Sequence, residues 1–135
     1  MTASRGKFRR FVADERGAAA VEFAVVSVAF FMFLFAIAYI AIIMFTNATL
    51  QWAVESGSRL AAINQAATQS DISNAVNSYL AAANAPSATV NYSVSQNGTL
   101  KTAIISASFS ESYSVPLIST FDIDYNASTS VPLAN

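Results

Sequence analysis

Hydrophobic and polar positions along the chain follow three regimes. Over residues 23–45 they do not alternate at all: FAVVSVAFFMFLFAIAYIAIIMF carries no charge, and Ser27 is its one strongly polar residue. At 1.5 Å rise per residue the run makes about 35 Å of helix, enough to cross a hydrocarbon layer of about 30 Å with some tilt. A domain this small cannot wrap a helix that is apolar on every face, so the run predicts a membrane span rather than a core helix.

Beyond the span a helical period takes over. Leu50, Ala53, Val54, Gly57, Leu60 and Ala61 recur at three- and four-residue spacing, and Glu55 and Arg59 form an i, i+4 pair on another face. The spacing predicts that the helix continues as a stalk to about Ala62. Gly57, among small residues, suits either close helix packing or a plainly tolerated glycine. A polar connection follows at 64–69. Ser70 then reads as the N-cap of a second helix, with Asp71 in a first turn whose dipole favours negative charge. Ile72, Val76, Tyr79, Leu80 and Ala83 form its apolar stripe, and Pro86 closes it.

The third regime has period 2. Val90, Tyr92 and Val94 alternate with Asn91, Ser93 and Ser95, and Asn97-Gly98 is the expected pair for a tight hairpin turn. On the returning strand Ile105, Ala107, Phe109, Tyr113 and Val115 share one face; Ser106, Ser108, Ser110, Ser112 and Ser114 take the other. Glu111 interrupts the apolar face, as a strand end or a bulge would. After Pro116 and a short break (Leu117, Ile118, Ser119, Thr120), Phe121, Ile123, Tyr125, Ala127 and Val131 alternate with Asp122, Asp124, Asn126 and Ser128. Three antiparallel strands with one apolar face need a cover, which the stripe at 72–83 supplies. The predicted fold class is α+β: a long N-terminal transmembrane and stalk helix, then a small head with one helix packed on a three-stranded antiparallel sheet.

Composition narrows function more than fold. The 135 residues make one small domain, and charged residues are only 11% of them. There is no Cys and no His, which excludes thiol chemistry, disulfides, thiolate or imidazole metal ligands, and Ser-His or Cys-His nucleophile pairs. The expected role is structural and not enzymatic, with no catalytic residue, cofactor or metal site. Asp122 and Asp124 read as a solvated pair on a strand, because no Asp-rich loop completes a calcium ligand set. The N-x-[ST] matches at Asn47, Asn91, Asn97 and Asn126 are expected by chance in a chain this rich in Ser and Thr. Without a Gly-rich phosphate loop, no small-molecule substrate is expected.

The net charge of −1 conceals an asymmetry. Residues 1–16 hold Arg5, Lys7, Arg9, Arg10 and Arg16 against Asp14 and Glu15, a net +3; the remainder holds Arg59 and Lys101 against six acids, a net −4. The positive-inside rule leaves the basic leader in the cytoplasm and sends 46–135 across the membrane. The leader is too short and too near the span to indicate nucleic-acid binding. The apolar region of a cleaved secretory signal is about 7–15 residues, so this longer one is expected to remain as an anchor. Trp52, seven residues past the span, reads as an interfacial belt residue.

One charge stands against this pattern. Glu22 lies at the very start of the apolar run, where a carboxylate is costly unless solvated, paired or protonated. On position alone it snorkels to the headgroups or serves a function. Its surroundings are a basic leader ending in Arg16-Gly17, then Ala18, Ala19, Ala20 and Val21, then Glu22-Phe23 and the span. This arrangement resembles the class III signal of type IV pilins and pseudopilins, in the Gly-xxxx-Glu-Phe form of the tight-adherence (Tad/Flp) branch. The segment TLQWAVESGSRLAAI (49–63) is similar to the one that follows the span in TadE-like proteins. The resemblance covers about residues 5–63 and is looser beyond.

A TadE/TadF-like minor pilin or pseudopilin is what this resemblance implies. A prepilin peptidase would cut the bond between Gly17 and Ala18, making Glu22 the fifth residue of the mature chain. Glu22 and Phe23 would then serve assembly, Glu22 meeting the N-terminal amine of a neighbouring subunit and fixing register. The implied partners are that peptidase, other pilins and pseudopilins, the pilus assembly platform and the bacterial inner membrane. The implied division is a leader at 1–17, a transmembrane helix at 18–45, a stalk at 46–65 and an extracytoplasmic head at 66–135. Two alternatives stand beside it: an unprocessed single-pass envelope protein whose head binds a partner, and an adhesin using the Ser-rich sheet face.

Overall fold

The computed structural model describes residues 15–115 and 119–133, with side chains from residue 17 onward. Arg5, Lys7, Arg9 and Arg10 of the leader, and Pro116 of the expected break, lie outside the described residues. The chain divides into two compact units, Met1–Ile40 and Ala41–Asn135. Helix α1, Glu15–Ile63, begins in the first and ends in the second.

In the first unit no position from 17 to 40 is buried. The apolar side chains point outward on every face, as a lipid-facing span requires. Ser27 donates its hydroxyl to the Ala24 carbonyl at 2.9 Å, so its polar atom is satisfied on its own helix. Residues 17–63 contain the one helix among the described residues that is long and apolar enough to cross a membrane. It fits a single-pass membrane protein.

The second unit is the α+β head. The C-terminal part of α1 supplies one wall of its core: Leu50, Ala53, Val54 and Ala61 are buried, together with Thr46, Thr49, Gly57 and Ser58. The hydroxyls of Thr49 and Ser58 return to the carbonyls of Phe45 and Glu55, at 2.9 and 2.8 Å, so neither is an orphan donor. Gly57 is where a second helix comes close. A Cβ there would stand 2.9 Å from Val76 Cγ2 and 3.4 Å from Ile72 Cγ2. Of the two readings of Gly57, close packing holds.

That second helix, α2, spans Gln69–Ala82 and buries Ile72, Val76 and Leu80. Tyr79, expected on the same stripe, is exposed instead. Its N-cap is Thr68, not Ser70. Thr68 and Asp71 form a reciprocal capping box: Thr68 Oγ1 accepts from the Asp71 N–H, and Asp71 Oδ2 accepts from the Thr68 N–H at 2.9 Å and its hydroxyl at 2.8 Å. The two-residue shift arises because a T-x-x-D frame satisfies two orphan amides, where a lone Ser satisfies one. The far end is a Schellman turn. Asn84 takes positive φ (55°), its N–H reaches the Ala81 carbonyl, and the Ala85 N–H reaches Leu80. The helix therefore ends at Ala82, four residues before Pro86.

Three antiparallel strands follow in the order β1 (Thr89–Asn97), β2 (Leu100–Val115), β3 (Ser119–Leu133), with β2 central. Val90, Ala103, Ile105, Ala107, Tyr113, Tyr125 and Leu133 are buried, and the serines of β2 take the other parity, as the alternation predicts. Three boundaries differ from expectation. Asn97 pairs with Leu100, so the hairpin loop is Gly98-Thr99 and not Asn97-Gly98. Gly98 alone takes positive φ (62°), the pattern of a II′ turn with Gly first. Ser119 and Thr120, expected in the break, are the first residues of β3. Glu111 marks neither a strand end nor a bulge, because β2–β3 pairing runs without interruption from Lys101↔Leu133 to Val115↔Ser119.

Sheet edges expose unpaired backbone groups, and α2 covers part of one. The Gln69 amide donates to the Val90 carbonyl and accepts from the Tyr92 N–H at 2.7 Å. Asn77 does the same at Ala88, accepting from its N–H at 2.8 Å and donating to its carbonyl at 3.2 Å. Two side-chain amides thus stand in for a neighbouring strand along β1.

Candidate assembly site on the N-terminal helix

The residues singled out by the leader pattern all lie near the start of α1. Gly17 is helical, and a Cβ added to it would meet nothing within 4 Å. Ala18 and Glu22 are four apart, and so share one face a single turn apart. Both are exposed, and Phe23 on the adjoining face is 74% exposed. Among the described residues nothing forms a salt bridge with Glu22; the one described ion pair is the exposed Glu55–Arg59 pair, at 3.6 Å. The site is therefore a strip of Ala18, Glu22 and Phe23 open to a partner. Its lone carboxylate borders the 23 uncharged residues of the run 23–45.

The chemistry that this strip offers is pairing and packing, not bond making. With Ala18 and Ala19 one turn before it, the carboxylate has room for a cation of another molecule, and Phe23 offers an apolar contact beside it. At Gly17 the helix is locally weak, since Gly in a helix is about 1 kcal/mol less favourable than Ala.

A second polar cluster, not found from the sequence, lies inside the head. Tyr113 donates its hydroxyl to Glu111 Oε2 at 2.8 Å, and the Tyr125 hydroxyl lies 2.8 Å from it. The side chain of Thr46, on α1, hydrogen-bonds the same hydroxyl. Burial, then the bonds to Tyr125 and Glu111, push the Tyr113 hydroxyl well above its ordinary pKa, so it stays a neutral donor. Here lies the reason that Glu111 can sit on the apolar face: its carboxylate accepts a hydrogen bond from the Tyr113 hydroxyl. The signal was present as E-x-Y, but the third partner, Tyr125, is twelve residues from Tyr113 and reaches it only through β2–β3 register. Asp122, on the opposite face, accepts from the Ser112 hydroxyl across the same strand pair.

The family model described as TadE-like protein matches residues 17–59. Searches of curated proteins and of solved structures returned no match. The matched stretch starts at Gly17, takes in Ala18, Glu22, Phe23 and the span, and ends at Arg59, two residues past the close approach at Gly57. The match covers about a third of the chain, and over these residues the chain is similar to TadE-like proteins.

Proposed function

We propose that this protein is a minor pilin or pseudopilin of a Tad/Flp-type adhesive pilus, cut after Gly17 by a prepilin peptidase and acting as a structural, non-catalytic subunit. The observation that carries this reading is the placement of Glu22-Phe23 five residues beyond Gly17, at the threshold of an uncharged span inside a TadE-like segment. Cutting there removes every leader cation and creates one α-ammonium at Ala18. It also brings Glu22 into the first turns of a helix that now starts at Ala18, where the dipole favours a carboxylate. In a bundle of such helices, Glu22 and the amine of a neighbouring copy neutralise each other, and one axial offset satisfies both charges. The leader charge directs the head out of the cytoplasm across the inner membrane, and the partners are the peptidase, other pilins and the assembly platform.

Intact-mass spectrometry of the membrane-extracted chain tests processing. Co-expression with a prepilin peptidase yields a mature chain of 118 residues (135 − 17) beginning at Ala18. An unchanged precursor in the presence of active peptidase rejects this reading in favour of an unprocessed envelope protein. Glu22→Ala separates processing from assembly: it is cut normally, but pili seen by electron microscopy are lost or sparse. Normal piliation in that variant removes the register role of Glu22.

A further inference from the structure

Within the head, α1 and α2 run antiparallel: Gly57 faces Ile72 and Val76, Trp52 and Tyr79 share one groove, and Ala48 lies across it from Ala83. This outer groove is made of two adjoining clefts, of about 540 and 190 Å³, that share Trp52 and Tyr79, and it is graded in polarity along its length. Phe45, Ala48, Ala82 and Ala83 line the end nearer the span, with Thr49, whose hydroxyl is bonded to the Phe45 carbonyl; Glu55, Ser56 and Arg59 line the other; Trp52 (59% exposed) and Tyr79 (41% exposed) stand between them in both parts. Apolar, then aromatic with polar tips, then charged is the order met on leaving a bilayer. The apolar end is continuous in sequence with the uncharged run, since Phe45 belongs to both. Trp52 follows Phe45 by seven residues, about 10 Å along the axis, and helical side chains lean back toward the N-terminus, hence toward the span.

We propose that this groove is a lipid-docking surface, seated in the headgroup layer of the bilayer that the span crosses, so that the C-terminal end of α2 contacts the membrane as well as α1. The occupant is phospholipid: acyl and glycerol carbons against Phe45, Ala82 and Ala83, with the headgroup beside Trp52 and Tyr79, and Arg59 about 21 Å along the helix from Phe45 on the water side. The proposal rests on the single-pass reading, and the test separates the two.

Trp52 is the sole tryptophan, so its emission reports the groove without any substitution. The full chain is reconstituted in phosphatidylcholine vesicles carrying bromine either near the glycerol end or at mid-chain. The expected result is blue-shifted Trp52 emission that loses most of its intensity with the shallow bromine and less with the deep one. In a Trp52→Phe background, Ala82→Trp behaves likewise, whereas Ser93→Trp on the sheet is not quenched. Phe33→Trp in the same background reports the span alone and is quenched chiefly by the deep bromine. Quenching at 33 without quenching at 52 and 82 overturns the groove proposal and leaves the span standing; no quenching at 33 overturns both. Emission that is blue-shifted but unquenched, and that varies with the protein-to-lipid ratio, identifies a second copy as the occupant and overturns the lipid assignment.

Discussion

Residues 17–40 and 41–63 belong to one helix, yet they present opposite surfaces. In the first stretch every face is apolar and no side chain is buried; in the second, buried positions recur every three or four residues while Trp52 and Arg59 face outward. The sequence of each stretch matches the medium that surrounds it. A segment that meets lipid on all sides needs no polar face, whereas one that meets a sheet on one side and a polar phase on the other acquires a period of 3.6. A long helix can thus be continuous in backbone and discontinuous in what stabilises it.

Equivalent changes in the two stretches break this comparison most forcefully. Leu50→Ala removes a fully buried side chain and is expected to cost the head about 2–5 kcal/mol. Phe33→Ala, on the exposed stretch, leaves head stability unchanged within about 0.5 kcal/mol. Denaturant unfolding followed by tyrosine signals from the sheet checks both, and equal losses would contradict the division.

The two glycines of α1 sharpen it. At Gly57 a larger side chain meets Val76, so Gly57→Val costs about 1–3 kcal/mol by overpacking. At Gly17 the space is open, so Gly17→Val leaves the head's melting temperature in place. On the proposed processing its effect is expected on cleavage, which mass spectrometry reads as retained leader.

Tyr113→Phe probes the polar cluster that joins the second stretch to the sheet. It withdraws the donor from Glu111 and the shared hydroxyl from Tyr125 and Thr46, and is expected to cost about 1–3 kcal/mol. The same change at exposed Tyr79 is expected to cost less, which places the loss in the cluster and not in tyrosine content.

The smallest expected effect is a pH dependence at the N-terminus of α2. The Thr68 N–H, and then its hydroxyl, hold the Asp71 carboxyl below its ordinary value near 3.8. A carboxyl with a depressed folded-state pKa contributes stability that is present above its unfolded value and lost as pH falls through the folded one. Head stability therefore falls slightly below pH 3.8, and Asp71→Asn removes that part of the slope. An unchanged acid limb in the variant would show that the cap contributes nothing there.

What the sequence made legible follows the same divide. The span could be read residue by residue because its environment is uniform, and the sheet faces could be read because their period is strict. Local signals that compete within a few residues were harder. Ser70 and Thr68 are both acceptable caps, and only the reciprocal bond with Asp71 decides between them. Asn97-Gly98 and Gly98-Thr99 both suit a hairpin, and β1–β2 register chooses the second. Features made by tertiary pairing left almost no local trace. The amides of Gln69 and Asn77 look like ordinary helix-surface residues until β1 lies beside them. In the candidate site, the spacing of Gly17, Ala18, Glu22 and Phe23 was fully readable, because it depends on one helix; what Glu22 meets depends on another molecule.

Cysteine scanning along α1 tests the central claim most directly, since the chain has no cysteine of its own. Single cysteines at each position from 20 to 62 in the full chain, reconstituted in vesicles, are labelled with a membrane-impermeant maleimide. The account predicts uniform protection over 23–44, on every face. Beyond it, protection recurs at 46, 49–50, 53–54, 57–58 and 61, with labelling between these groups fastest at positions farthest from the bilayer. Periodic labelling within 23–44, with one face reactive, would contradict it, because the first stretch would then be a half-buried helix and not a span.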